Sequence, residues 1–228
     1  GREGGVFVKL VYADLFSPFT LECDRVNLIS IEQGALYYKL MNEFSAQCSG
    51  HDGGFVLSEN NTVLNMSKVT DLVTDYIPFD SNPKRLITKL YSKLEDICAG
   101  ELFDRTIKLR EALSDYLSSA CSMLESDTEY DVQTELKALF KCCELRFSCN
   151  SDRLSDKLII YFINSYELDG RRLFVTVGLL NFLSEEEAEL FFHTVTSHKL
   201  TLLMFENISG YSGELVNRMT IDSDFCVF

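Results

Sequence analysis

The stretch RRLFVTVGLLNFLSEEEAELFFHTVTSHKLTLLMF, residues 171–205, constrains the fold more than any other part of the chain. Residues 172–177 (RLFVTV) form an apolar run of strand length. Ser184 then opens Ser-Glu-Glu-Glu. Its hydroxyl suits an N-cap, the acids fall where the positive end of the helix dipole favours them, and Glu187 can close a capping box. The helix carries Ala188 and Phe191 inward and runs to about Ser197. Residues 200–205 (LTLLMF) form a second apolar strand. Strand, helix and strand make a βαβ unit, right-handed, with parallel strands buried on both faces.

The N-terminal region supplies more α/β material. Residues 6–12 (VFVKLVY) read as a strand, and residues 20–22 as a partner for a strand at 26–31. Residues 34–47 read as a helix, with Leu36, Leu40 and Phe44 at helical spacing. Strands at 55–57 and 62–65 flank a turn at 59–61, residues 67–74 continue as β or irregular chain, and 225–228 read as a last edge strand. Between them the texture changes. From Pro83 to Phe147 the pattern is almost wholly helical, with Pro83 suited to a first turn. Leu86, Leu90, Leu94 and Ile97 form one stripe. A second helix over 101–124, with Phe103, Ile107, Leu113, Leu117 and Cys121 inward, would extend roughly 35 Å. A third spans about 132–143 and a fourth 155–166. The chain therefore reads as an α/β head, residues 1–80 and 171–228, with an elongated α-helical insert at 81–170.

Composition limits the function. Apolar residues at 46%, with 17 Phe and 10 Tyr, can fill a sizeable core in 228 residues. No apolar run approaches the roughly 20 residues of a membrane span. No basic segment precedes a short apolar one, so the expectation is a cytoplasmic protein with no membrane partner. The eight cysteines form no C-x-x-C, which favours reduced core thiols over disulfides or zinc. A net charge of −14 opposes non-specific binding to nucleic acid, so DNA binding would need a local basic surface.

Several stretches carry possible chemistry. Where the strand at 26–31 gives way to a helix, a phosphate cradle would need several glycines and a lysine. The chain offers Glu32, Gln33 and Gly34, and Lys39 lies most of a helix later. Residues 176–178 also lack the acid usual for magnesium. Glu125, Asp127, Glu129 and Asp131 form an acidic turn of the kind calcium can use. Val132 and Ala138 stand where an EF-hand starting at Asp127 needs Gly and Glu, so it is not one. The alternative is a solvated turn with Asp131 as helix N-cap. Lys137 and Lys141 share a helix face and Arg146 follows. Lys84, Arg85, Lys89 and Lys93 form another basic face, and Arg153, Lys157, Arg171 and Arg172 are looser candidates. Each could equally be an ordinary solvated charge. His193 reads as structural and His198 as a helix-end residue. With no G-x-S-x-G or H-E-x-x-H, the chain offers no catalytic residues.

Four stretches in this order resemble the small accessory adaptation family of type II-A CRISPR systems. They are VNLISIEQGALYYKL, VTDLVTDYIPFDSNPKRLITKL, the acidic turn SDTEYD, and residues 171–207 with the closing DSDFCVF. The resemblance implies a head similar to P-loop ATPases with a degenerate phosphate loop, and an inserted helical leg. It implies a non-catalytic homotetrameric ring on linear double-stranded DNA ends, supported by calcium on acids of the 125–131 region. Lys141 and Arg146 match positions where the family carries channel-lining lysines. Its partners would be the spacer integrase and the RNA-guided effector nuclease of the same system. The alternatives are an acidic protein-interaction scaffold without DNA binding, or an NTP-dependent enzyme on the same frame.

Overall fold

The computed structural model describes residues 8–12, 15–132, 135–208, 211 and 213–228. The chain divides into two compact units. One joins Gly1–Ser81 to Cys149–Phe228, and the other is Asn82–Ser148.

The first unit begins with β1 (Val8–Tyr12), β2 (Phe16–Leu21), β3 (Val26–Ile31) and α1 (Gly34–Cys48). It continues through β4 (Phe55–Glu59), β5 (Thr62–Val63), the short α2 (Met66–Val69) and β6 (Thr70–Val73). The second unit then contributes α3 (Lys84–Ala99), α4 (Phe103–Cys121) and α5 (Leu136–Cys142). The chain returns with α6 (Leu154–Asp169), β7 (Leu173–Val177), a 3₁₀ turn (Leu179–Phe182), α7 (Glu185–Ser197), β8 (Thr201–Glu206) and β9 (Val216–Ile221).

A five-stranded sheet in the order β6-β7-β8-β3-β9 forms the centre of the first unit, and every pairing in it is parallel. All six residues of β3 are buried, as an interior strand of a parallel sheet requires. The βαβ unit expected from the sequence is present: β7 and β8 are parallel neighbours joined through α7. Ser184 and Glu187 form the capping box in both directions, each bond 3.2 Å.

Alternation along the strands sends side chains to two covered faces. On one, Ile29, Ile31, Val175, Leu203 and Phe205 meet Leu40 and Phe44 of α1. Leu10, Phe55 and Leu57 join this core from a four-stranded antiparallel sheet, β2-β1-β4-β5. Phe44 meets Phe55 and Phe205 edge-on at 5.0 and 5.1 Å. On the other face Phe174 packs against Phe162 of α6, with ring centroids 4.6 Å apart.

Several sequence expectations are corrected. Residues 20–22 do not pair with β3, because β8 and β9 already occupy both of its edges. Phe16–Leu21 pairs with β1 instead, and Asn27 reaches Glu22 through its side chain, accepting from the Glu22 N–H and donating to its carbonyl. The edge strand is β9; residues 225–228 return beside it, where Thr220 and Phe228 exchange backbone hydrogen bonds. The helical insert is shorter than 81–170. The α6 helix belongs to the first unit, where Tyr161 donates to Asp71 of β6 at 2.8 Å and Ser165 donates to the other carboxylate oxygen. No cysteine is disulfide-bonded and none is fully buried: Cys48 packs half-buried against the core of the first unit, whereas Cys23, Cys142, Cys143 and Cys226 are exposed, so the expectation of core thiols fails for those four. Val6 and Phe7, the start of the first expected strand, lie outside the described residues.

In the second unit α4 matches its expected place but not its expected burial. It spans 19 residues, about 28 Å at ~1.5 Å each, and none of them is buried. Phe103, Ile107 and Leu113 are exposed, while Leu117 and Cys121 are half-buried. Within this unit α4 packs on α3 along one side, which leaves the rest of its apolar surface uncovered. Asp131 does not cap the next helix: α5 begins after Glu135, beyond Gln133 and Thr134, which lie outside the described residues.

Candidate nucleic-acid interface

The basic residues owe their placement to how α5 returns along α3. Near the end of α3, Glu95 accepts from Lys137 at 2.7 Å. Nearer the middle, Tyr91 packs its ring on Phe140, centroids 5.7 Å apart, and donates its hydroxyl to the Leu145 carbonyl at 3.0 Å. At the start of α3, Asn82 brackets Phe147. Its amide donates to the Phe147 carbonyl at 3.2 Å, and its oxygen accepts the Phe147 N–H at 2.9 Å. The returning chain is therefore antiparallel to α3. Arg146 arrives at the same end as Lys84 and Arg85, although more than 60 residues separate Asn82 from Phe147.

This arrangement sorts the candidates. Lys84, Lys141 and Arg146 are exposed and Arg85 is half-buried. Lys141 occupies the last turn of α5. Lys137 is engaged differently from the shared face expected with Lys141. Its hydrogen bond to Glu95, and then the surrounding carboxylates, hold its ammonium above the usual lysine range. Paired in this way, it offers a phosphate less than Lys141 does. Arg153 belongs to the first unit, exposed at the N-cap of α6, with Asp156 in the following turn. Arg171 is occupied in the fold: it donates to the carbonyls of Ser67 and Thr70 at 2.6 and 2.9 Å and pairs with Asp169 at 3.1 Å.

Glu125, Asp127, Glu129 and Asp131 are exposed on irregular chain. Tyr130 among them donates to the Ser114 carbonyl of α4 at 3.3 Å. Among the described residues, no three His, Cys, Asp or Glu side chains are grouped so as to hold a metal ion. Calcium wants six to eight oxygens in one cage. The residues of a single copy, as placed, do not fit it.

The β3–α1 junction is short. Only Glu32 and Gln33 separate the strand from the helix. Gln33 accepts the Leu36 N–H at 3.1 Å with its own side chain, so the helix start is capped internally. Glu32 donates its N–H to the Ile221 carbonyl at 3.0 Å. Asn207 donates to the carbonyls of Ile31 and Glu32. At this junction the Leu36 and Glu32 N–H groups are thus taken up by the chain's own acceptors.

Sequence reasoning missed a neighbouring group, Glu206, at the end of β8. It is fully buried, and one carboxylate oxygen accepts the Leu180 N–H at 3.2 Å while the other has no hydrogen-bond partner among the described residues. Burial raises its pKa from 4.5 to about 7. The available signal was a glutamate closing an otherwise apolar parallel strand, where burial is the rule.

A mixed α/β protein with a parallel central sheet, a separate helical unit and a cluster of cations on that unit is the class these features define. The model of the CRISPR-associated protein family Cas_Csn2 matches residues 47–225, and the chain belongs to that family, the adaptation proteins of type II-A CRISPR systems. Stu0660 of Streptococcus thermophilus, known from a crystal structure, is 14% identical with a TM-score of 0.51, covering 94% of this chain and 74% of that one. That similarity shows a shared fold. The ATP-binding cassette MJ1267 in its ADP conformation is 13% identical at a TM-score of 0.44, over 91% of this chain and 83% of that one. A putative ABC transporter ATP-binding protein from Pyrococcus furiosus is 9% identical at 0.42, over 94% and 97%. No curated protein matches the chain.

Proposed function

We propose that this protein holds the ends of linear double-stranded DNA without reading sequence, as a ring of four copies, during CRISPR spacer acquisition. The observation that carries the reading is the convergence of Arg146 with Lys84 and Arg85 at one end of α3, with Lys141 exposed on α5. Lys and Arg contacts to phosphate fix position and carry no sequence information. Repetition around a ring multiplies a modest patch, which is how a chain of net charge −14 can still hold DNA. The first unit serves as an ATPase-like head with its phosphate loop lost, and Asn82–Ser148 as the leg. The protein is non-catalytic and acts in the cytoplasm beside the spacer integrase and the RNA-guided nuclease. The internally capped, two-residue β3–α1 connection supports the absence of nucleotide chemistry. Calcium rests on the resemblance alone, because the acids of one copy do not converge.

A gel shift with linear and covalently closed circular DNA of one sequence tests this, with calcium or a chelator in parallel arms. Linear DNA should shift at low salt and circular DNA should not. Equal binding to both, or to neither, would defeat the reading. A second reading is favoured by the uncovered apolar side chains of α4, where Phe103 is 55% and Tyr116 71% exposed. It makes the chain an acidic scaffold that docks proteins through that helix. Charge reversal at Lys141 and Arg146 that left DNA binding untouched would point to it.

A further inference from the structure

Two oxygens at the carboxyl end of the parallel sheet are buried without partners. Glu206 ends β8 and is fully buried. Its Oε1 accepts the N–H of Leu180, from the 3₁₀ turn Leu179–Phe182, at 3.2 Å. The N–H groups of that turn favour the ionised carboxylate over the neutral acid. Its Oε2 has no partner among the described residues. Thr176 of β7 repeats the pattern: the residue is fully buried and its Oγ1 has no partner among them either. Thr176 stands beside Met204 in the sheet, and Met204 lies two residues before Glu206. Thr176 and Glu206 therefore share one face of the sheet on neighbouring strands.

The hydroxyl hydrogens around this pair are spent elsewhere. Ser30 of β3, opposite Glu206, donates to the Ile208 carbonyl. Tyr37 donates to the Phe205 carbonyl at 3.1 Å, and Tyr76 to those of Val73 and Val177 at 3.0 and 3.2 Å. Burial first, and the Glu206 charge after it, raise both phenols above their ordinary range, so both stay protonated. Among the described residues no Lys, Arg or His is ion-paired to Glu206. The surroundings of Oε2 are rich in oxygen and poor in positive charge.

We propose that Glu206 and Thr176 hold a monovalent alkali cation, sodium or potassium, at the carboxyl end of the parallel sheet. Hard cations take oxygen ligands, and a buried anion is costly until it is paired. Charge sets the valence. One carboxylate among neutral oxygens cancels one positive charge, whereas a divalent ion would leave a net charge buried. The ion offsets part of what ionised Glu206 costs the fold. Its place is the region beyond the carboxyl ends of parallel strands, where open α/β sheets bind ligands. The site shares no residue with the cations assigned to DNA, so either reading can fail while the other stands.

The test is made at about pH 8, above the value near 7 to which burial raises the Glu206 pKa. Sodium or potassium chloride replaces N-methylglucamine chloride at constant ionic strength, up to about 200 mM. The thermal midpoint of the full chain should rise saturably, by about 3 °C. The Leu180 amide resonance should shift with the same saturation. Glu206→Gln, which keeps an acceptor for Leu180, should lose both responses, and Thr176→Val should need several-fold more salt for half its response. Magnesium or calcium chloride should not substitute. The proposal is overturned if neither alkali ion moves the midpoint and the amide, or if Glu206→Gln responds as wild type does. A response to divalent ions alone overturns it equally, because the charge balance would then be wrong.

Discussion

At the scale of single residues, buried Glu206 ties stability to pH. In the folded chain its carboxyl keeps a proton up to about pH 7, whereas its ordinary value is 4.5. The unfolded chain therefore ionises first, and folding stability falls as pH rises from about 4.5 to about 7, then stays lower. At ~1.4 kcal/mol per pKa unit the loss is on the order of 3 kcal/mol. Glu206→Gln keeps an acceptor for Leu180 and removes the charge. It should raise the urea midpoint at pH 8 by an amount worth about 2 kcal/mol, with little difference at pH 4.5. A variant equally stable to wild type at both pH values would contradict the burial argument. Lys137 teaches the complementary lesson. Its i, i+4 spacing with Lys141 is legible in the sequence, but its capture by Glu95 is not, because Glu95 lies on another helix. Spacing within an element constrains which residues share a face. It cannot say which opposing charge a neighbouring element will bring.

Elements are legible where local chemistry specifies them. Ser184 and Glu187 mark the start of α7 in the sequence and form the expected capping box. Ser184→Ala should cost about 1 kcal/mol, read as a lower thermal midpoint, because an N-cap acceptor is lost. The two apolar strands flanking that helix are legible for the same reason. Less local decisions escape. Nearness in sequence suggests residues 20–22 as a partner for β3, but a strand with both edges already used accepts no further partner. The apolar spacing of α4 suggests an inward face, yet spacing reports only that a face exists, not that something covers it. The antiparallel return of α5 along α3 is also illegible, since Asn82 and Phe147 meet across the whole helical unit. That pairing carries the candidate site, so Asn82→Ala has a specific consequence. Losing both hydrogen bonds frees the segment holding Arg146. DNA affinity should fall by roughly 3- to 10-fold, the equivalent of about 1 kcal/mol, while circular dichroism stays unchanged. Tyr91→Phe, which loses only the bond to Leu145, should fall in between.

For the whole molecule, the proposed function requires an anionic chain to grip a polyanion. A net charge of −14 repels DNA at a distance, and at 0.15 M salt that field is screened within about 8 Å. What remains is the local contact, where each phosphate neutralised releases a condensed counter-ion. Affinity should therefore be strongly salt-dependent despite the acidic average, dropping at least about 100-fold between 50 and 200 mM salt if several phosphates are held. Lys84→Gln with Arg146→Gln should weaken binding at low salt and flatten that dependence, since the slope of log K against log salt scales with about 0.9 per phosphate contact. Neutralising Asp104 and Glu111 on α4 raises net charge by the same amount that the first pair lowers it, so a response governed by overall charge would be equal and opposite. A local grip predicts asymmetry instead: the cation pair changes the slope, and the acid pair shifts affinity slightly while leaving the slope alone. Fluorescence anisotropy of one labelled linear duplex across a salt series separates the two. Matching slope changes from both pairs would mean that the end of α3 is not where phosphates are held.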